Sequence, residues 1–154
     1  MSKVIKLSDS VYDNPSIAAV GVACHEAGHA AQHAEKYVPI RIRNYILPVC
    51  NIGSKISIPL LIAGVIFSAR PIIWIGIGLF AFTAIFQTVT LPVEFNASNR
   101  ALNVIESTGI LSYEEKRGAG KVLKMAAMTY VAALAMSLAQ LLRLILRYGG
   151  NRRR

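Results

Sequence analysis

Two histidines four residues apart, with a glutamate directly after the first, stand at His25-Glu26-Ala27-Gly28-His29, inside SIAAVGVACHEAGHAAQHAEK. On a helix, positions i and i+4 share a face about one turn apart. Two imidazoles so placed can grip one zinc ion and leave room for water and a further ligand. Glu26 projects beside them and can take a proton from that water. The pattern implies metal-assisted hydrolysis of a peptide bond, and it requires a third ligand from elsewhere in the chain.

Elimination narrows that ligand. Asp9 and Asp13 precede the motif, and the acids after it are Glu35, Glu94, Glu106, Glu114 and Glu115. His33 lies eight residues beyond His25, about 12 Å along a helix, too far to share one ion; it reads as a helix-surface residue or as one that supports a ligand, not as a ligand itself. Glu35 lacks the glycine turn that would bring it back. Glu114 and Glu115 open a helix, where acids are expected, and Glu106 sits near a helix end. Glu94 lies between Val93 and Phe95 at the start of a helix on a membrane boundary. A carboxylate there is costly without a cation. Ser98, four residues on, shares its face and can hydrogen-bond a ligand. Ala97 and Ala101 keep that face small. The alternative is an acid that merely favours the helix N-terminus. Cys24 adjoins His25 but points about 100° away from it on a helix, so it reads as a small core residue.

The elements that must position these groups are apolar. Residues AVILMFWYC make up 54% of the 154, and the mean hydropathy is +0.46. The apolar residues cluster, which points to an integral membrane protein. The formal charge of +9 comes from basic residues flanking the apolar runs. That suits anchoring to a lipid bilayer; no interleaving of bases and aromatics suggests nucleic acid. The start, MSKVIKLSDS, has no apolar core and is no signal peptide.

In chain order, Val4 to Leu7 suits a short strand that could pair with an extended substrate. Asp13 or Asn14 can cap a helix over about 15–36, with Pro15 in its first turn. Tyr37 to Cys50 reads as an interfacial segment, or a strand from its IRIRNYI alternation. A transmembrane hairpin follows over about 48–91, broken at Arg70-Pro71. Its ends return to one side, so residues before and after it can meet. Pro92 opens a helix over about 92–108, closed by Gly109. Ser112 and Glu115 form a capping box for a last helix over about 113–147, whose Met125–Leu146 portion suits a third span. A helix along the membrane, or one packed in a homo-oligomer, stays open. The fold class expected is mainly all-α and membrane-embedded, one domain over 1–154, with at most one short N-terminal strand.

HEAGHA, the hairpin, LPVEFNASNRAL and MTYVAALAMSLAQLLRLIL together resemble the YugP-like membrane zinc metallopeptidases of bacteria, in order and over nearly the whole chain. More distantly, EFNASNRA is similar to the ExxAD segment of HtpX-like and CAAX-prenyl membrane proteases. The resemblance implies one zinc ion held by His25, His29 and Glu94, with Glu26 as general base. Ser98 stands where the wider group has Asp. Family members generally carry a longer N-terminal region, with another membrane helix, before the segment matching KVIKLSDSVYDNPSIAAV.

The expected function is a zinc-dependent membrane endopeptidase acting on a peptide or membrane-protein substrate. The rival is a non-catalytic membrane module that keeps zinc for folding or partner binding; such a site would be closed by four protein ligands. An intramembrane protease needing a downstream Asp ligand is disfavoured, because no Asp follows residue 13. Arg100, Tyr113 and Tyr130 are candidates for an oxyanion donor. The basic residues flanking the motif place the active site on the cytoplasmic side of a bacterial cell membrane, although the Arg-rich tail pulls the other way.

Overall fold

A computed structural model describes residues 4–150. Five helices follow one another: α1 (Asp9–Tyr12), α2 (Ile17–Ala34), α3 (Val38–Ile66), α4 (Arg70–Thr108) and α5 (Tyr113–Gly149). No strand occurs among the described residues. The strand expected at Val4–Leu7 is therefore not formed; an isolated extended segment has no ladder to join. The IRIRNYI stretch is likewise helical, as part of α3.

The chain divides into two compact units. The first comprises Met1–Arg41 and Thr90–Tyr130; the second comprises Ile42–Val89 and Val131–Arg154. The first is rich in small buried side chains: Ala19, Ala97, Ala101, Ala119 and Ala127 are buried, as are Val93 and Ile105. A Cβ placed on Gly28 would come 2.7 Å from the Ala97 carbonyl oxygen, so α2 and α4 touch backbone to backbone there. In the second unit α3 and α4 meet in the same way. A Cβ on Gly64 would lie 2.7 Å from Ile73 Cγ1, and one on Gly76 would lie 2.8 Å from Leu61 Cγ. Close approach through small residues is how helices associate where no water drives them together.

α3, α4 and α5 are each long and apolar enough to cross a membrane. Ile62, Ile66, Ile75, Leu142 and Leu146 are exposed on them, as lipid-facing side chains would be. The hairpin turn falls at residues 67–69, just before Arg70. Pro92 does not open a new helix. α4 runs through it, as α3 runs through Pro48 and Pro59. In an apolar setting one lost backbone bond costs less than a helix end with several unsatisfied groups.

Helix ends follow local chemistry. Ser16, not Asp13 or Asn14, caps α2 by accepting from the Ala19 N–H at 3.2 Å, and Pro15 lies outside the helix. The Ser112 N–H donates to Glu115 Oε2 at 2.8 Å while Ser112 Oγ accepts from the Glu115 N–H at 3.4 Å, completing the expected box. Three ends use a left-handed residue: Lys36 at φ 56°, Ser68 at φ 50° and Gly109 at φ 64°. After α2 the Tyr37 N–H reaches the Gln32 carbonyl, and after α3 the Ala69 N–H reaches that of Gly64. Both are Schellman closures with a non-glycine residue in the strained position. Replacing Gly109 with alanine should cost about 1 kcal/mol, whereas Ser68→Gly should leave stability unchanged or raise it. Thermal unfolding in detergent checks this; equal losses in the two variants would contradict the role given to φ.

Candidate metal centre

The site lies within the first unit, where α2 carries His25, Glu26 and His29 and the C-terminal part of α4 carries Glu94 and Ser98. Gly28 between the histidines and Ala97 between Glu94 and Ser98 let the two backbones approach. One ligand atom from each of His25, His29 and Glu94 lies within 4.8 Å of the others. Glu94 Oε2 is 3.3 Å from His25 Nε2 and 3.6 Å from His29 Nε2. The Glu94 side chain is only 5% exposed, against 15% and 17% for the two histidines. The rings meet edge to face, with centroids 4.7 Å apart.

Each imidazole is held by its other nitrogen. Ser98 Oγ lies 3.2 Å from His25 Nδ1, and Gln32 Oε1 lies 3.0 Å from His29 Nδ1. Both Nε2 atoms are thereby aimed at the same carboxylate. Hydrogen bonding to Glu94 raises the His29 pKa above the ordinary imidazole value, opposed by partial burial and reinforced by Gln32. A buried carboxylate flanked by two imidazole nitrogens calls for a positive charge between them. The donor set, two imidazole nitrogens and one carboxylate oxygen, fits zinc. Beside it, a cleft of about 500 Å³ is lined by Val4, Ile5, Lys6, Glu26, His29, Ala30 and His33.

Residues 1–149 match the family described as "Putative neutral zinc metallopeptidase". The chain belongs to that family. It is also 45% identical over 144 residues to the "Putative membrane protease YugP" of Bacillus subtilis (strain 168), an alignment covering 94% of this chain and 64% of that protein. The chain thus spans less than two thirds of the length of the curated relative it matches. No solved structure matches it.

Within this zinc metallopeptidase family member, the structure gathers His25, His29 and Glu94, sets Ser98 against His25, and turns Glu26 into the cleft. His33 is exposed on the cleft wall and stands apart from the three-residue cluster, as does Cys24. Arg100, an oxyanion candidate by sequence, is engaged with other partners: its guanidinium bonds Glu35 at 2.6 and 2.9 Å and Asn96 Oδ1 at 2.8 Å. Arg100 in turn holds the Glu35 carboxyl below the usual range. Tyr113 is 76% exposed.

Gln32 and Asn96 were not singled out by sequence. Gln32 is fully buried and donates to the Val93 carbonyl at 2.8 Å and to Asn96 Oδ1 at 2.9 Å. The signal available was its spacing, three residues past His29 and seven past His25, which puts it on the motif's face. A metal ion bound through His29 Nε2 would compete with a proton that this imidazole holds more firmly than a free one. Zinc affinity should therefore begin to fall above the ordinary imidazole pKa of about 6.5 and weaken further below it, with protons released on binding. Calorimetric titration in buffers of differing ionisation heat checks this; affinity flat between about pH 6 and 8 would contradict it.

Proposed function

We propose that this chain is a membrane-embedded zinc endopeptidase, with His25, His29 and Glu94 holding one ion and Glu26 acting as general base. The observation that carries the reading is the convergence of these three ligand atoms within 4.8 Å, beside a cleft that Glu26 lines. Bound there, zinc would supply Lewis acidity, polarising a scissile carbonyl and acidifying the attacking water. Glu26 accepts the proton of that water on a carboxylate oxygen and delivers it to the leaving amine nitrogen. Ser98 and Gln32 keep the imidazoles oriented. Val4, Ile5 and Lys6, which carry no regular element, line the same cleft and offer an extended substrate a length of backbone to pair with. A peptide or a membrane-protein segment is the substrate class this suits.

A purely structural zinc site would be closed by four protein ligands. Among the described residues only His25, His29 and Glu94 converge, which favours an open position and hence the enzyme over a non-catalytic module. The three long apolar helices and the membrane protease named above support an integral membrane location. The basic residues near the motif favour a cytoplasmic active site in a bacterial cell membrane.

Glu26→Gln should retain zinc and lose proteolysis of a casein or membrane-peptide substrate by two or more orders of magnitude, roughly the contribution of a general base. Wild-type turnover in that variant would remove Glu26 from the mechanism.

A further inference from the structure

We infer that Gln32 is a positioning residue that locks His29 in its Nδ1–H tautomer, and that Asn96 and Arg100 fix the direction of the lock. The inference deepens the zinc reading above and rests on it for its purpose, though not for its geometry.

The chain of hydrogen bonds begins with a group that can only donate. The Arg100 guanidinium has no acceptor, so the Asn96 atom 2.8 Å from its Nε is the amide oxygen. That oxygen also receives Gln32 Nε2 at 2.9 Å. Gln32 Nε2 gives its second proton to the Val93 carbonyl at 2.8 Å. Both amide protons are then used, and both partners are acceptors, so a flipped Gln32 would set oxygen against two oxygens. The orientation follows from the network around the amide. What Gln32 presents to His29 is its carbonyl oxygen, 3.0 Å from Nδ1. Only Nδ1–H can satisfy it. In the neutral ring, Nε2 is left with its lone pair, facing Glu94 Oε2 at 3.6 Å.

Two features separate this from an ordinary buried glutamine. First, Gln32 is 0% exposed and every polar atom of its amide is matched, so a wrong polarity would strand a buried group. Second, the other histidine lacks such a lock. Ser98 Oγ at His25 Nδ1 is a hydroxyl, which donates or accepts equally. His25 can therefore change tautomer as the site loads, while His29 is set beforehand. The far end of the chain is anchored outside the site by the two bonds of Arg100 to Glu35 at the end of α2.

The test reads the tautomer directly. Nitrogen NMR of histidine-labelled, metal-free protein in detergent, at about pH 9 where imidazoles are neutral, distinguishes Nδ1–H from Nε2–H. His33→Gln and His25→Gln assign the signals among the three histidines. Wild-type His29 should show Nδ1–H; Nε2–H there would overturn the inference without any variant. Gln32→Met, similar in size but without an amide, should release the ring to a mixture or to Nε2–H and weaken zinc binding roughly 10–100-fold. Asn96→Asp keeps an acceptor for both Arg100 and Gln32 and should retain the wild-type tautomer. A Gln32→Met protein with wild-type tautomer and zinc affinity would overturn the inference. No readout is proteolysis, so a chain that locks His29 yet cleaves nothing would sink the peptidase reading and leave this one standing.

Discussion

A carboxylate that is almost wholly buried and faces two imidazole nitrogens at 3.3 and 3.6 Å is the constraint from which the rest of this site follows. Unpaired, such a group costs several kcal/mol. It persists only where a proton or a metal ion supplies the charge, and where neighbouring groups forbid its escape to water. The small residues are the structural answer. Gly28 and Ala97 allow α2 and α4 to approach until a single added carbon would strike a carbonyl oxygen. Without that approach, side chains as short as His and Glu on separate helices would not converge on one point.

Rigidity then comes from outside the cluster. Ser98 and Gln32 hold the far nitrogens of the rings, and Gln32 is itself held by Val93 and Asn96. The Schellman closure after α2 takes its terminal bond from the Gln32 carbonyl, so the residue that orients His29 also helps to end the helix. For the proposed metal site, side chains fixed in this way would need little reorganisation to take up an ion. The cleft on the other side of His29, with Glu26 in its lining, is where the proposed peptidase would hold its substrate.

Much of this was legible in the residues. The i, i+4 histidines and, by elimination among the few acids that follow the motif, Glu94 were readable as residues that should converge, and they do. Ser98 followed from helical spacing. The capping box at Ser112 and the glycine closure at Gly109 were readable because their residue types have few other reasons to stand there. Pro92 misled, since a proline reads as a helix start in water yet is carried inside α4. The strand expected at Val4–Leu7 needed a partner that an all-helical chain does not provide. Lys36 and Ser68 close helices in a conformation their side chains do not favour, so nothing local announced them. Gln32 and Asn96 escaped notice because polar residues on a helix are usually solvated; their importance lies in contacts 61 and 64 residues apart in sequence.

Zinc stoichiometry measured by elemental analysis on purified wild type and Glu94→Gln bears most directly on the centre itself. Wild type should carry one zinc per chain. Glu94→Gln, which keeps the shape and removes the charge, should carry little or none under the same conditions. Equal zinc in the two proteins would mean that Glu94 is not a ligand.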